Sequence, residues 1–223
     1  MKKLIVLLSI VMLCGCSSST VAIKEDEKYF DAYQDIKEDE IIYSETQADF
    51  KYNFSDSDVM YNMCDYIVLA RVTSIDGGSN YNETTEKYVF PYTYGKLEII
   101  ETLKGSIDDE NITYVRGGGI VPINQYIAGM FPAQREKFIS NMNGRTSGYV
   151  KEKFIDDIDI EVDKTYLVYL KDNNTVKEDS YSIVGLAGGL REVSTDSIMD
   201  KSTDILVFNN FTEEWENLSS IVK

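Results

Sequence analysis

The stretch DYIVLARVTSI, Asp65 to Ile75, decides the fold. In an extended chain Ile67, Leu69 and Arg71 share one face and Val68, Ala70 and Val72 share the other, so aliphatic side chains stand on both sides. A strand with one wetted face alternates apolar with polar; this one does not, and it predicts a strand covered on both faces. Asp76-Gly77-Gly78 supplies the turn signal that ends it.

Four further strands follow from the same reasoning. YVFPYTYGKLEIIETLKG, Tyr88 to Gly105, alternates Leu97 and Ile99 with Lys96 and Glu98, and Pro91 and Gly95 predict a bend or an edge. ENITYVRGGGIV, Glu110 to Val121, predicts a third strand closed by Gly117, Gly118 and Gly119. DKTYLVYLKDNN, Asp163 to Asn174, and SYSIVGLAGGLREV, Ser180 to Val193, predict a hairpin pair. Ahead of the first strand, Ser and Asp residues from Ser55 precede Val59, Met60 and Met63 and predict a short helical turn. Cys64, beside that turn, reads as a small buried hydrophobe.

Between the third and fourth strands lies an insertion, Pro122 to about Asp157. Pro132 at a first helical position, with good helix formers behind it to Ile139, predicts a short helix over one open end of the sheet. DDIDIEVD alternates Asp157, Asp159, Glu161 and Asp163 with Ile158, Ile160 and Val162, which predicts a solvated strand face. It does not predict a metal site, because alternate strand residues stand ~7 Å apart and their carboxylates do not converge. At the C-terminus, Thr212 as N-cap, two glutamates behind it and Trp215, Leu218 and Ile221 or Val222 on one side predict an amphipathic helix. The reading is therefore a mainly β chain: a small antiparallel, OB-like barrel with a helical insertion and a C-terminal amphipathic helix. It forms one domain over residues 55–223.

The N-terminus states where such a domain works. Lys2 and Lys3 precede an apolar run, Leu4 to Leu13, that is too short to span a hydrocarbon core of ~30 Å. Leu13-Cys14-Gly15-Cys16 resembles the bacterial lipobox, and the resemblance implies that residues 1–15 are a signal peptide and that Cys16 carries lipid. Loss of residues 1–15 removes two lysines and no acid, taking the formal charge from −16 to −18. A chain that acidic repels phosphate backbones, so no nucleic-acid partner is expected, and its hold on the membrane falls to the acyl chains. Residues 16–54, with the run KEDEKYFDAYQDIKEDE, read as an acidic tether.

The succession DYIVLARVTSI, YTYGKLEIIETLKG, ENITYVRGGG, KTYLVYLK and YSIVGLAGGLREV resembles a broad set of secreted or lipid-anchored bacterial proteins over about Asp65 to Val193. The resemblance implies a small antiparallel barrel of the OB or netrin-like sort, and implies no activity. Two departures stand out: Ala70 occupies a position where that set favours glycine, and Arg116-Gly117-Gly118-Gly119 lacks the set's proline.

The chemistry open to the chain is narrow. It contains no histidine, which removes Ser-His-Asp and Cys-His nucleophiles, His-ligated zinc or haem, and imidazole acid–base steps. Neither a P-loop nor a dinucleotide fingerprint is present, since the triple glycine leads to Ile120-Val121-Pro122-Ile123 rather than to a helix start. No catalytic residue, cofactor or metal is expected, and the reading is a non-enzymatic binding module with an envelope protein, a secreted protein or a small anion as partner. A glycan hydrolase acting through paired carboxylates and an immunity-type sequestering lipoprotein are the alternatives. The candidate ligand site is Arg116 with Gly117, Gly118 and Gly119, joined by Gly188, Gly189 and Arg191: two rare positive charges beside bare backbone, expected to face one opening.

Overall fold

The computed structural model describes residues 29–173, 176–195, 197 and 204–222. The leader, Cys14, Cys16 and the first part of the expected tether lie outside the described residues, as does Asn174 in the turn expected after Asp172.

The doubly apolar stretch is strand β3, Tyr66–Asn82, and it is bonded along both edges. β4, Lys87–Lys104, runs antiparallel along one side, and β8, Thr165–Asn173, runs antiparallel along the other through Tyr66–Arg71. β5, Asn111–Gly117, continues from β4, and β9, Ser180–Ile183, joins β5 in parallel and β8 antiparallel. The ring therefore closes as β3-β4-β5-β9-β8-β3. Five strands, with one parallel contact between the third and the fifth, form the small OB-like barrel expected from the sequence.

Closure explains the composition of β3. Val68, Ala70 and Val72 point into the barrel, where they meet Leu97, Ile112, Tyr114, Val168 and Leu170. Ile67 and Leu69 point outward into a second core, with Leu167, Tyr169, Cys64 and Met60. That outer core is roofed by helix α1, Ser57–Met63, whose N-cap Asp56 accepts from the amides of Asp58 (2.9 Å) and Val59 (3.2 Å). The C-terminal segment completes the roof. The register shifts between β3 and β4 let this long hairpin bend around the barrel.

Five local expectations are corrected. β3 does not end at Asp76-Gly77-Gly78 but runs on to Asn82, with a register shift against β4 between Ile75 and Gly77 in place of the expected turn. The expected tether is part of the fold from Tyr29 onward. β1, Phe30–Asp31, pairs in parallel with Ser74–Ile75, and β2, Ile41–Thr46, pairs in parallel with β7, Tyr149–Phe154. β6, Gly119–Pro122, is the third strand of that smaller sheet, in the order β2-β7-β6. DDIDIEVD is not a strand but an irregular strap, which packs Ile158, Ile160 and Val162 onto the barrel core. The expected last strand of the barrel is divided into β9 and β10, Leu190–Glu192, by an excursion through Gly185–Gly189; both pieces pair with β8. The C-terminal helix shrinks to one turn, α4, Leu218–Ile221. Trp215 sits instead on β12, Glu214–Asn217, in a hairpin with β11, Leu206–Asn209.

The insertion is helical where expected but placed differently. α3, Pro132–Asn141, starts at its proline yet buries no residue, whereas α2, Ile123–Ala128, seats Ile123 fully in the fold. α3 rests on α2 through the rings of Tyr126 and Phe138, 5.2 Å apart.

Burial of tyrosine makes the fold sensitive to alkali. Desolvation pushes Tyr33, Tyr126, Tyr166 and Tyr169 up to about 12, and raises the fully buried Tyr114 as well. In the unfolded chain a tyrosine releases its proton near ~10. Between those values the folded state holds protons that the unfolded state has lost, so stability falls as pH rises from ~10 toward about 12. Absorbance at 295 nm should accordingly show exposed tyrosines titrating near ~10, and these five appearing only together with unfolding. Smooth titration of all sixteen tyrosines in a chain that stays folded would contradict the burial.

Candidate functional site

β5 ends at Arg116-Gly117 and the chain turns at once into β6. Gly118 makes that turn with φ +86° in the left-handed region that favours glycine. Its amide donates to Pro91 O at 2.7 Å, and its carbonyl accepts from Thr93 Oγ1 at 2.9 Å. Gly119 lies so close to β4 that a Cβ there would stand 2.6 Å from Thr93 Oγ1. The triple glycine thus stitches the rim of the barrel to the smaller sheet.

Beside this turn lies a cavity of about 200 Å³, walled by Arg116 to Ile120, by Lys151, Glu152 and Lys153 of β7, by the strap from Asp157 to Ile160, and by Tyr33 and Thr93. Arg116 is only 6 % exposed. Its Nη1 donates to Ile158 O and its Nη2 to Asp157 Oδ1, while the buried Nε finds no hydrogen-bond partner among the described residues. Burial pushes the Asp157 carboxyl above the ordinary carboxylate range, and the neighbouring guanidinium and the Ile158 amide offset this only in part. This pair, not a strand ladder, bends DDIDIEVD into a strap.

The remaining charged groups of the wall are mostly engaged. Glu152 is buried and accepts from Thr46 Oγ1 and from Tyr126 Oη, both at 2.6 Å. Lys151 Nζ meets Asp159 Oδ2 at 2.6 Å, and Asp31 Oδ1 accepts from the Tyr33 amide at 2.8 Å. Lys153 has no ion pair among the described residues. Tyr33 Oη accepts from the Ile120 amide at 3.4 Å, which ties the former tether to the cavity rim.

Arg191 lies elsewhere. It lines a separate, small cavity with Phe54, Tyr169 and Phe211. Its Nη2 donates to Glu216 Oε2 at 2.5 Å and its Nε to Phe208 O at 3.2 Å, while Asn209 Nδ2 donates to Glu216 Oε1 at 2.6 Å. The Glu216 carboxyl is held below its usual value: burial works in the opposite direction, but the hydrogen bonds from Asn209 and Arg191 outweigh it. Gly188 and Gly189 face the protein's own backbone. A Cβ on Gly188 would stand 2.2 Å from Phe54 O, and one on Gly189 would stand 1.5 Å from Val184 O.

The single opening expected for both arginines is therefore not formed. Arg116, Gly117, Gly118 and Gly119 border a cavity; Gly188 packs against Phe54 and Phe211, Gly189 against Val184 at the head of its own excursion, and Arg191 against the C-terminal hairpin. Tyr33, Thr93, Lys151, Glu152 and Lys153 complete the cavity and were not anticipated. The one local cue was the pattern Tyr149-Val150-Lys151-Glu152-Lys153-Phe154, in which a lysine pair brackets a glutamate on the opposite face of a strand. Comparison with known protein families and with curated proteins finds no match to the chain.

The buried pair makes a firm prediction about stability. Arg116→Ala strands the Asp157 carboxyl and should cost ~3–5 kcal/mol in denaturant unfolding. Arg116→Ala combined with Asp157→Ala should cost less than the sum of the two single changes. A loss below ~1 kcal/mol for the single change, the range of an exposed ion pair, would show that the pair is not buried in solution.

Proposed function

We propose that the chain is an extracytoplasmic, lipid-anchored binding module, held to the bacterial membrane through Cys16 and taking a small anionic ligand or an anionic group of an envelope or secreted partner at the Arg116 cavity. The observation that carries this reading is Arg116 on the cavity wall, whose buried Nε has no hydrogen-bond partner among the described residues, with Lys153, which has no ion pair among them, on the same wall. A carboxylate or phosphate entering there would accept from Lys153 beside the Arg116 guanidinium, and charge-assisted bonds of this kind are the strong ones.

A binding role is favoured over glycan hydrolysis by the state of the carboxylates. Glu152, Asp157 and Asp159 each already accept a hydrogen bond or ion pair from within the fold. An acid and a base facing each other across a cleft would need their reacting oxygens free. The anchor reading rests on Lys2 and Lys3, the short apolar run and the lipobox. No helix among the described residues is long and apolar enough to cross a membrane.

Two experiments test the two halves. Cys16→Ser should leave uncleaved precursor or release soluble protein; mature-size protein that still partitions into detergent would refute lipidation. Thermal unfolding of the purified chain in acetate, succinate and phosphate should show a rise in midpoint with at least one anion, beyond that in chloride of equal ionic strength. The rise should shrink in Lys153→Gln. An unchanged midpoint in all three, or an equal rise in Lys153→Gln, would contradict the cavity as an anion site.

A further inference from the structure

β2 is the outermost strand of the smaller sheet. Its inner edge pairs with β7, and no strand pairs with its outer edge among the described residues. In such a ladder every second residue turns its N–H and C=O away from the partner strand, so β2 offers a row of backbone groups to an incoming chain. Directly beyond its end, Gln47 and Ala48 lead onto the rim of a cleft of about 290 Å³, walled chiefly by Phe50, Tyr52, Phe54, Phe154, Ile155 and Phe211.

That cleft concentrates the exposed apolar surface. Ten large hydrophobic side chains stay exposed among the described residues; Phe50, Tyr52, Ile155 and Phe211, at 42–49 %, line this one cleft, while Tyr43, on β2, lies against Lys151 and Glu38. Scattered apolar side chains need no explanation, but four of the ten gathered in one cleft beyond the end of β2 do. The surroundings are net acidic: Glu38, Asp39, Glu40, Glu45, Asp49 and Asp156 stand in or next to these segments, against Lys37 and Lys51 and the β7 lysines Lys151 and Lys153 paired across from Tyr43 and Glu45.

We infer that β2 and the aromatic cleft together form a recognition groove for an extended, basic peptide segment, which adds a strand to the sheet edge and drops one bulky apolar side chain between Phe50 and Phe211. Only another backbone can use the open edge of β2, and only an apolar side chain gains from the cleft, so the two features select an extended polypeptide. The negative charge selects its sign, and also opposes pairing of two copies of this chain edge to edge. This groove is distinct from the Arg116 cavity and does not depend on an anion binding there.

The test uses the full mature chain in detergent micelles and a library of nine-residue fluorescent peptides with one fixed phenylalanine and randomised Val, Thr, Lys and Glu positions, read by anisotropy. Lysine-rich members should bind, their glutamate counterparts should not, and replacing the phenylalanine by alanine should weaken binding at least tenfold. N-methylation at alternate backbone amides of the best binder should abolish binding, because it blocks strand addition without removing the side chain. Phe211→Asp should weaken binding at least tenfold and Glu45→Lys severalfold, with unfolding midpoints near that of the parent. The inference fails if no peptide in the library binds, if the N-methylated peptide binds as well as its parent, or if the chain is a dimer whose dissociation is needed before any peptide binds.

Discussion

The fold depends on β3 being satisfied on all four sides. Its two edges are bonded to β4 and β8, its inner side chains fill the barrel, and its outer side chains are covered by α1 and the C-terminal segment. The seam between β3 and β8 converts an open five-stranded sheet into a ring and removes two edges that would otherwise be free to aggregate. No disulfide among the described residues helps, since Cys64 is a buried free thiol whose burial pushes its pKa up. Stability therefore rests on two apolar layers that share the paired strands β3 and β8.

The closed ring also sets up the candidate site. Because β5 must leave the barrel and feed the insertion, its end bends sharply at Gly118, and the bend leaves Arg116 inside the protein rather than in water. A buried guanidinium demands a counter-charge, and Asp157 from the strap supplies it. The strap, the smaller sheet and the former tether then converge on one cavity. Arg191 solves the same problem separately with Glu216, so the two arginines are alike in chemistry and unrelated in place.

How much of this was legible in the sequence follows from the range of each interaction. The two-sided pattern of Ile67 to Val72, the proline start of α3 and the glycine turn after Arg116 are local signals, and all three hold. β2 was hidden because its acidic surroundings match the composition of a tether, while its strand character comes from pairing with β7 about a hundred residues later. Thr212 and the following glutamates carry a helix-start signal. In the fold, Glu216 meets Arg191, and the rings of Phe208 and Trp215 lie 5.3 Å apart, so tertiary contacts override local preference. The period of two in DDIDIEVD is a real alternation without a strand: its isoleucines and Val162 pack on the barrel while Asp157 is buried against Arg116, outside any sheet. Lys151, Glu152 and Lys153 carried too generic a pattern to mark a cavity that three distant segments create.

Amide hydrogen exchange along β3 tests the closed ring most directly. If the barrel is sealed by β8, the amides of Ile67 to Val72 should exchange only through global unfolding, at the same free energy as denaturant melting gives, and far more slowly than those of the edge strand β2. Exchange of Ile67 to Val72 at the rate of β2, in a chain that remains folded, would mean that the seam between β3 and β8 is open and that the fold described here does not hold.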